Sequence, residues 1–551
     1  VNTLVCVPIQ VDDIDAALAD ANQAKLLGAD IVELRIDSYF PGSEGDEEDA
    51  FRLEQLRGLL AECPLPVILT CRSAEEGGDY DGDEADRVSM LEKLCVNTDH
   101  PPAYLDFEFA SYQKSANIRQ KINLCVDHPK QEREVRTRLI LSMHDFDGRP
   151  VDLMRRLADA WSEPAAAVVK FAFRARSIRD NLEIFEILRD APKPTIGLGM
   201  GEFGLMSRVL APKFGGFLTF AALRDEATTA PGQPSMADLL GMYRFRSIGN
   251  DTKLYGVIGW PVSQSMSPLI HNAGFEARGV DAVYLPMPVP DSVDAFKATM
   301  VSLITDRTIH FSGASVTIPH KLSLAQYGQR IMNEQNSRYD EFLSIGAANT
   351  FAEFAIGPDT RLVENTDCEA IRRLVFDALD GNSAKGMIII GSGGVARAAA
   401  FACLSIGASL GICSRSSESA RLLVDDIYKE RDRTWTGSAR AIEEAELMEF
   451  NSKVYINCTP VGMTGGPDPE GLSIPVHELA GKLPPESVFF DTVYNPIETP
   501  MIKAAKSYGF RTIDGVEMFV KQAAAQFELW TGEQAPIQLF DRLVRERLAE
   551  D

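Results

Sequence analysis

Through the first 220 residues, short apolar runs alternate with longer amphipathic stretches. The apolar runs are Leu4–Ile9, Ile31–Ile36, Pro66–Cys71, Tyr104–Phe109, Arg138–Met143, Ala165–Phe171, Pro194–Met200 and Gly216–Ala221. Continuous apolar runs of this length read as strands buried on both faces. Between them, Asp13–Leu27, Asp86–Leu94 and Asp152–Ala160 space their apolar residues as helices do. Eight strands alternating with helices predict a (β/α)8 TIM barrel over residues 1–240. Ala-Pro-Gly-Gln-Pro at 230–234 reads as a closing loop, followed by a helix and a linker over 241–252.

A second α/β pattern starts at Lys253. Strands are expected near Tyr255–Gly259, Val283–Met287 and Ala314–Ile318. A further strand, Met387–Ile390, runs into a glycine turn, as the first strand of a Rossmann domain does. The predicted division is a substrate-binding domain over 253–365 and a Rossmann domain over 366–515. Two C-terminal helices over 516–551 complete the former. No internal repeat or low-complexity tract interrupts the pattern.

A chain of 551 residues exceeds one hydrophobic core. The net charge of −25 argues against nucleic acid or an anionic membrane as a partner, though local arginines can still bind a small anion. Nine cysteines without a CxxC pair suggest reduced thiols in a reducing compartment. The seven histidines show no zinc-ligand spacing. No apolar stretch approaches the roughly 18–20 residues of a membrane span. The start shows no signal or transit peptide, which suggests the cytoplasm, with a plastid as the alternative if a leader has been removed.

Lys170 stands out because it interrupts the apolar run Ala-Ala-Ala-Val-Val-Lys-Phe-Ala-Phe at 165–173. A buried lysine needs a partner or a task. Desolvation disfavours an ammonium and frees a neutral amine as a nucleophile toward carbonyls. The carboxyl ends of the other barrel strands carry Glu33 and Arg35, Arg72, Glu76, His144, Met200 and Arg208, with Thr229 and Gln233 in the closing loop. Any one of these could simply line the barrel in a salt bridge. Together they suit a small hydroxylated keto acid.

The segments Val32–Asp37, Thr70–Gly78, Ser142–Asp145, Val168–Lys170, Gly204–Arg208 and Ala230–Gln233 resemble type I 3-dehydroquinate dehydratase, in order, over about residues 3–240. The resemblance implies that Lys170 forms an imine with the C3 ketone of dehydroquinate. It gives His144 the proton at C2 and the departing C1 hydroxyl, with Glu76 supporting it. Glu33, Arg35, Arg72, Met200, Arg208, Thr229 and Gln233 are then substrate contacts. Thr229 departs from the family's serine but keeps a hydroxyl.

Gly391-Ser-Gly-Gly-Val-Ala-Arg397 follows a strand and opens a helix, the setting in which backbone N–H groups meet a pyrophosphate. A plain strand–helix turn is the alternative. The next strand ends in Ser414-Arg415-Ser416, which fits a 2′-phosphate better than bare ribose hydroxyls.

The segments Ser263–Pro268, Ser315–Lys321, Ala347–Thr350, Asn365–Asp367, Asn457–Met463 and Val516–Ala523, with Tyr494, resemble shikimate dehydrogenase over about 253–548. The resemblance implies Lys321 and Asp367 as the catalytic pair. Ser263, Ser265, Thr317, Asn349, Tyr494, Gln522 and Gln526 would surround the substrate. Gly391, Ser392, Gly393, Gly394, Val395, Ala396, Ser414, Arg415, Ser416, Thr459, Met463, Gly515 and Met518 would hold NADP(H). Ser315 replaces an asparagine common in bacterial members. Ser419 stands where a second phosphate-binding arginine is common, with Arg421 as the substitute. His320 reads as structural.

The two resemblances imply consecutive steps in one chain, as in the plant-type fusion: dehydroquinate to 3-dehydroshikimate, then to shikimate. Its partners would be these small molecules, with the oligomeric state open. One alternative has the second half preferring quinate. Another is a non-catalytic sensor or repressor built from the same domains.

Overall fold

The computed structural model describes the whole chain except residues 1, 44, 97, 133, 225–231, 336–344, 354–360, 382–385, 431–436, 451 and 551. It divides into two compact units, Val1–Thr252 and Lys253–Asp551.

In the first unit the strands are β1 (Leu4–Gln10), β2 (Ile31–Arg35), β3 (Val67–Thr70), β4 (Tyr104–Glu108), β5 (Arg138–Asp145), β6 (Ala166–Arg174), β7 (Thr195–Met200) and β8 (Leu218–Phe220). All ladders are parallel, and the sheet runs from β7 through β1 to β8. Phe217 N donates to Thr195 O at 2.9 Å, bringing the two ends of the sheet together as a nearly closed barrel. Helices follow the strands, and some start on side-chain caps: Asp13 accepts from Ala16 N, and Asp83 from Ala85 N.

The register explains why one end of the barrel is dry and the other polar. Side chains two apart share a face, and alternate strands fill each interior layer. Ile31, Tyr104, Val168 and Leu218 come from the even strands, and Cys6, Ile68, Ile140 and Ile196 from the odd ones; all eight belong to one apolar cluster. Two residues further along the even strands stand Glu33, Asp106, Lys170 and Phe220. The polar layer therefore rests directly on a packed hydrophobic floor.

The segment expected as a linker, 241–252, is instead packed into this unit. Tyr243 and Phe245 are buried, and Lys213 Nζ donates to the carbonyls of Asn250 and, at 3.0 Å, Thr252. The helix expected after the closing loop is present as a short π-helix, Asp238–Met242.

The second unit holds two sheets. The first joins β9 (Lys253–Gly259), β10 (Ala282–Pro288), β11 (Phe311–Val316), β12 (Thr350–Glu353) and β13 (Arg361–Glu364) in the order β10-β9-β11-β12-β13, with β12 antiparallel to both neighbours. The chain's last two helices, Gly515–Thr531 and Ile537–Glu550, return to it. Tyr255, Phe275, Phe527, Trp530 and Phe540 pack there in one cluster.

The second sheet is fully parallel: β14 (Gly386–Ile390), β15 (Ser409–Cys413), β16 (Ser438–Ala441), β17 (Val454–Asn457), β18 (Val488–Asp491) and β19 (Arg511–Ile513), ordered β16-β15-β14-β17-β18-β19. This is the Rossmann order. The direction of winding reverses between β14 and β17, and ligands bind beyond the strand ends at such a point.

Candidate active sites

Lys170 is 5% exposed, yet it is not alone in apolar surroundings. Its Nζ lies 3.1 Å from Asp106 Oδ2 and 3.4 Å from Glu33 Oε1, and 4.7 Å from the centre of the Phe220 ring. Asp106 Oδ1 accepts from Arg72 Nη2 at 2.7 Å and from Ser142 Oγ at 2.6 Å. Thr70 donates to Glu33 at 2.8 Å. Burial works against the Asp106 carboxylate, but Arg72 and then Lys170 outweigh it and hold its pKa well below the usual range.

Beside this cluster, His144 Nδ1 is 3.0 Å from Glu76 Oε2, which also accepts from His144 N at 3.1 Å. Burial pushes Glu76 up to about 7 despite the opposing charge of Arg72. Burial, with Arg72 and Lys170 adding to it, depresses His144 well below its ordinary value. His144 is therefore a neutral imidazole near neutrality, suited to accept a proton.

Arg208 is 2% exposed, and among the described residues its Nε has no hydrogen-bond partner and no acidic side chain pairs with it. Burial alone lowers its pKa to about 10. An unpaired buried guanidinium calls for an anionic ligand. Arg35 is held by Asp37 through two bonds of 2.8 Å. Met200 and Gln233 are buried, whereas Thr229 lies outside the described residues.

In the second unit, Lys321 Nζ meets Asp367 Oδ2 at 2.5 Å. Lys321 opens the helix Lys321–Gln335 after β11, and Asp367 lies in the first turn of Thr366–Ala378 after β13. Asn349 Nδ2 contacts Thr366 Oγ1 at 3.0 Å and Gln522 Oε1 at 3.4 Å. Tyr494 stacks on Phe519, and Ser265 Oγ accepts from Ser267 N. Ser263 is exposed and Thr317 half-buried. Gln526 is fully buried and gives its amide to Asn349 O and Thr350 Oγ1, so it braces Asn349.

The glycine turn sits between β14 and the helix Gly394–Ser405. Gly391 has φ 121°, and a Cβ there would lie 2.9 Å from Cys458 O. A Cβ on Gly393 would meet nothing within 4 Å, so this side of the turn is open. Ser392 Oγ is 3.1 Å from Ser414 Oγ, and Arg415, Ser416 and Arg421 are exposed. A Cβ on Gly394 would lie 3.2 Å from Lys321 Cδ, so the turn and the Lys321–Asp367 pair are neighbours. Val395 and Ala396 continue the helix; Thr459 bonds Asn457 at 2.6 Å, and Met463 is exposed nearby in sequence. Gly515 opens its helix, and Met518 packs into the core.

The model of type I 3-dehydroquinase matches residues 5–250. Those of the shikimate dehydrogenase substrate-binding and C-terminal domains match 257–351 and 515–545. The chloroplastic bifunctional 3-dehydroquinate dehydratase/shikimate dehydrogenase of Arabidopsis thaliana is 33% identical over 98% of this chain and 83% of its own. The chain belongs to this bifunctional family. It also matches the pentafunctional AROM polypeptide of Schizosaccharomyces japonicus at 29% identity, over 93% of this chain but 31% of that one. A shikimate dehydrogenase (NADP(+)) of Maridesulfovibrio salexigens is 36% identical over 54% of this chain and 97% of its own.

In the dehydratase unit the structure gathers Lys170, Glu33 and Arg72 into one network and sets His144 against Glu76. It sets the two terminal nitrogens of Arg72 against protein partners: Asp106, Ser142 and Glu108. Sequence reasoning missed Asp106, Glu108 and Ser142. The signal was present, because Tyr-Leu-Asp-Phe-Glu-Phe puts two carboxylates into a strand that otherwise reads as buried. In the dehydrogenase unit His320 is structural as expected: buried, stacked on Phe296, with Nε2 2.9 Å from Val289 O. Ser315 is paired with the Tyr284 hydroxyl, which the sequence did not suggest.

Proposed function

We propose that the barrel unit converts 3-dehydroquinate to 3-dehydroshikimate, and that the second unit reduces this ketone to shikimate with NADPH. The observation that carries the first step is Lys170 set between two carboxylates, in the same unit as a buried Arg208 that no acidic side chain pairs with among the described residues. Arg208 takes the substrate carboxylate. Lys170, after giving up a proton, attacks the C3 carbonyl, and loss of water leaves a protonated imine. His144 takes the C2 proton, and the C–H electron pair flows into the imine to give an enamine. The enamine pushes out the C1 hydroxyl, which leaves as water with the proton His144 returns. Hydrolysis of the imine frees product and Lys170. Asp106 keeps a negative charge beside the nitrogen while it is cationic.

In the second unit, the open turn at Gly393, the helix start behind it and the exposed Arg415 with Ser414 and Ser416 fit a dinucleotide bearing a 2′-phosphate. The NADP(+)-named relative supports the same choice. Bound NADPH supplies the hydride. Lys321 gives the carbonyl oxygen its proton, and Asp367 holds the ammonium in place. Ser263, Ser265, Thr317, Asn349, Tyr494 and Gln522 orient the acid.

The partners are these small anions rather than nucleic acid or membrane. Among the described residues no helix is long and apolar enough to cross a membrane. All nine cysteines are free, which suits a reducing compartment, the cytoplasm or, as for the chloroplastic relative, a plastid.

The test is borohydride reduction in the presence of dehydroquinate, followed by peptide mass mapping. The adduct is expected on the peptide containing Lys170. An adduct elsewhere, or none while turnover proceeds, overturns the assignment.

A further inference from the structure

Arg87 lies on the helix Glu84–Cys95, outside the barrel, and is fully buried. Its Nη1 donates to Cys71 O at 2.7 Å, next to Arg72 in the chain, and stands 2.9 Å from Glu108 Oε2. Its Nη2 holds Glu84 at 2.7 Å, and its guanidinium lies 4.7 Å from the centre of the Phe107 ring. Glu108 Oε1 in turn accepts from Ser73 N at 3.0 Å and stands 3.2 Å from Arg72 Nη1. Arg72 Nη2 binds Asp106 Oδ1 at 2.7 Å, and Asp106 Oδ2 reaches Lys170.

The result is a line of five buried charges of alternating sign, Arg87, Glu108, Arg72, Asp106 and Lys170. Buried charges are poorly screened, so a change at one end is felt along the line. Nothing in the dehydratase chemistry calls for Arg87, which touches neither Lys170 nor His144.

We propose that Arg87 is a positioning residue for the dehydratase reaction: by neutralising Glu108 it leaves the charge of Arg72 free to fix Asp106 against Lys170 and to face Glu76. This rests on the dehydratase reading of the barrel.

The groups facing Glu76 are Arg72 from the end of β3, Glu108 and Asp106 from β4, and His144 from β5. Burial is the largest influence and raises the Glu76 pKa; Arg72 lowers it, and Glu108 and Asp106 raise it. Without Arg87, Glu108 has a single cation left and draws more heavily on Arg72. Both effects make Glu76 harder to ionise. Removing the charge of Glu108 acts in the opposite direction.

The experiment compares full-length wild type, Arg87→Met, Glu108→Gln and the double variant, following dehydratase kcat/KM against pH with the dehydrogenase rate measured on the same sample. Arg87→Met is expected to move the acid limb upward by about half a pH unit and lower kcat about tenfold. Glu108→Gln is expected to move the limb downward. The double variant should follow Glu108→Gln, because the influence of Arg87 runs through Glu108. Dehydrogenase rates should not change.

If Arg87→Met does not fold by circular dichroism, Glu84→Gln serves instead. It releases Arg87 from its second carboxylate, and the acid limb should move downward. Limbs that coincide with wild type, or that move the same way in both single variants, overturn the inference. A wild-type protein without dehydratase turnover would instead defeat the reading of the barrel site.

Discussion

Asp106 Oδ2 stands 3.1 Å from Lys170 Nζ, across the polar layer of the barrel. The two residues come from β4 and β6, alternate strands, so their meeting follows from barrel register and not from sequence proximity. The carboxylate is held from behind by Arg72 and Ser142, which leaves Oδ2 aimed at the amine.

Replacing Asp106 by Asn keeps the shape and removes the charge. Preorganised charge beside a developing cation commonly accounts for 10²–10³-fold in rate, so kcat for dehydration is expected to fall by about 10²-fold. Borohydride trapping of Lys170 should slow in parallel. Trapping at the wild-type rate would mean that Asp106 does not assist imine formation.

Glu76 sets the pH dependence. With its pKa pushed up to about 7 by burial, Glu76 is protonated in acid and then donates to His144 Nδ1, so that the other ring nitrogen carries the proton and is no base. Ionised, Glu76 accepts from Nδ1 and frees the opposite nitrogen. Dehydratase kcat/KM should therefore rise through an acid limb near pH 7, and Glu76→Gln should abolish that limb. The same shift has a stability consequence. The folded pKa is raised above the ordinary value, so the contribution of Glu76 is fully present below that ordinary value and is lost as pH rises through about 7. Chemical denaturation of Glu76→Gln against wild type should favour the variant more at pH 8 than at pH 5.

Much of this was legible before any coordinates, and the limits are physical. Lys170 announces itself as a charge interrupting an apolar run, and His144 and Glu76 as polar residues beyond the ends of such runs. Asp106 carried the same signal within Tyr104–Phe109, but a carboxylate in a strand gains meaning only when the register puts it opposite an amine. The commitment of Arg72 to three protein partners depends on the same closure. The packing of 241–252 onto the barrel rests on Lys213 reaching two carbonyls far along the chain, and no local pattern encodes that. The presence of the Rossmann domain was easier to read, because its first strand and the glycine turn are contiguous.

The glycine turn makes a separate prediction. At φ 121° Gly391 occupies a backbone region that other residues rarely adopt, and an added Cβ would crowd Cys458 O. Gly391→Ala is expected to cost about 1–3 kcal/mol in stability and to raise KM for NADPH more than KM for dehydroshikimate. Dehydratase activity should be untouched. Equal changes in both KM values would point to general loosening instead of a cofactor-binding turn.

Lys321 and Asp367 should separate binding from chemistry. Lys321→Met removes the proton donor beside the carbonyl, and Asp367→Asn removes the counterion that holds it at 2.5 Å. Both are expected to lower dehydrogenase kcat by about 10²-fold or more while changing KM for NADPH little. The double variant should be little worse than either single, since the two act as one unit. Additive losses would assign them independent roles.

Arg208 should trade stability for function. A guanidinium buried without an acid is costly in the free protein, and its pKa of about 10 records that strain. Arg208→Met fills similar volume without the charge. It is expected to stabilise the unliganded barrel by ~1 kcal/mol or more, seen as a higher midpoint in denaturant, while KM for dehydroquinate rises at least about a hundredfold. Dehydroquinate should raise the midpoint of wild type and not of the variant. A variant both less stable and still protected by dehydroquinate would show that Arg208 is a packing residue and that the carboxylate is held elsewhere.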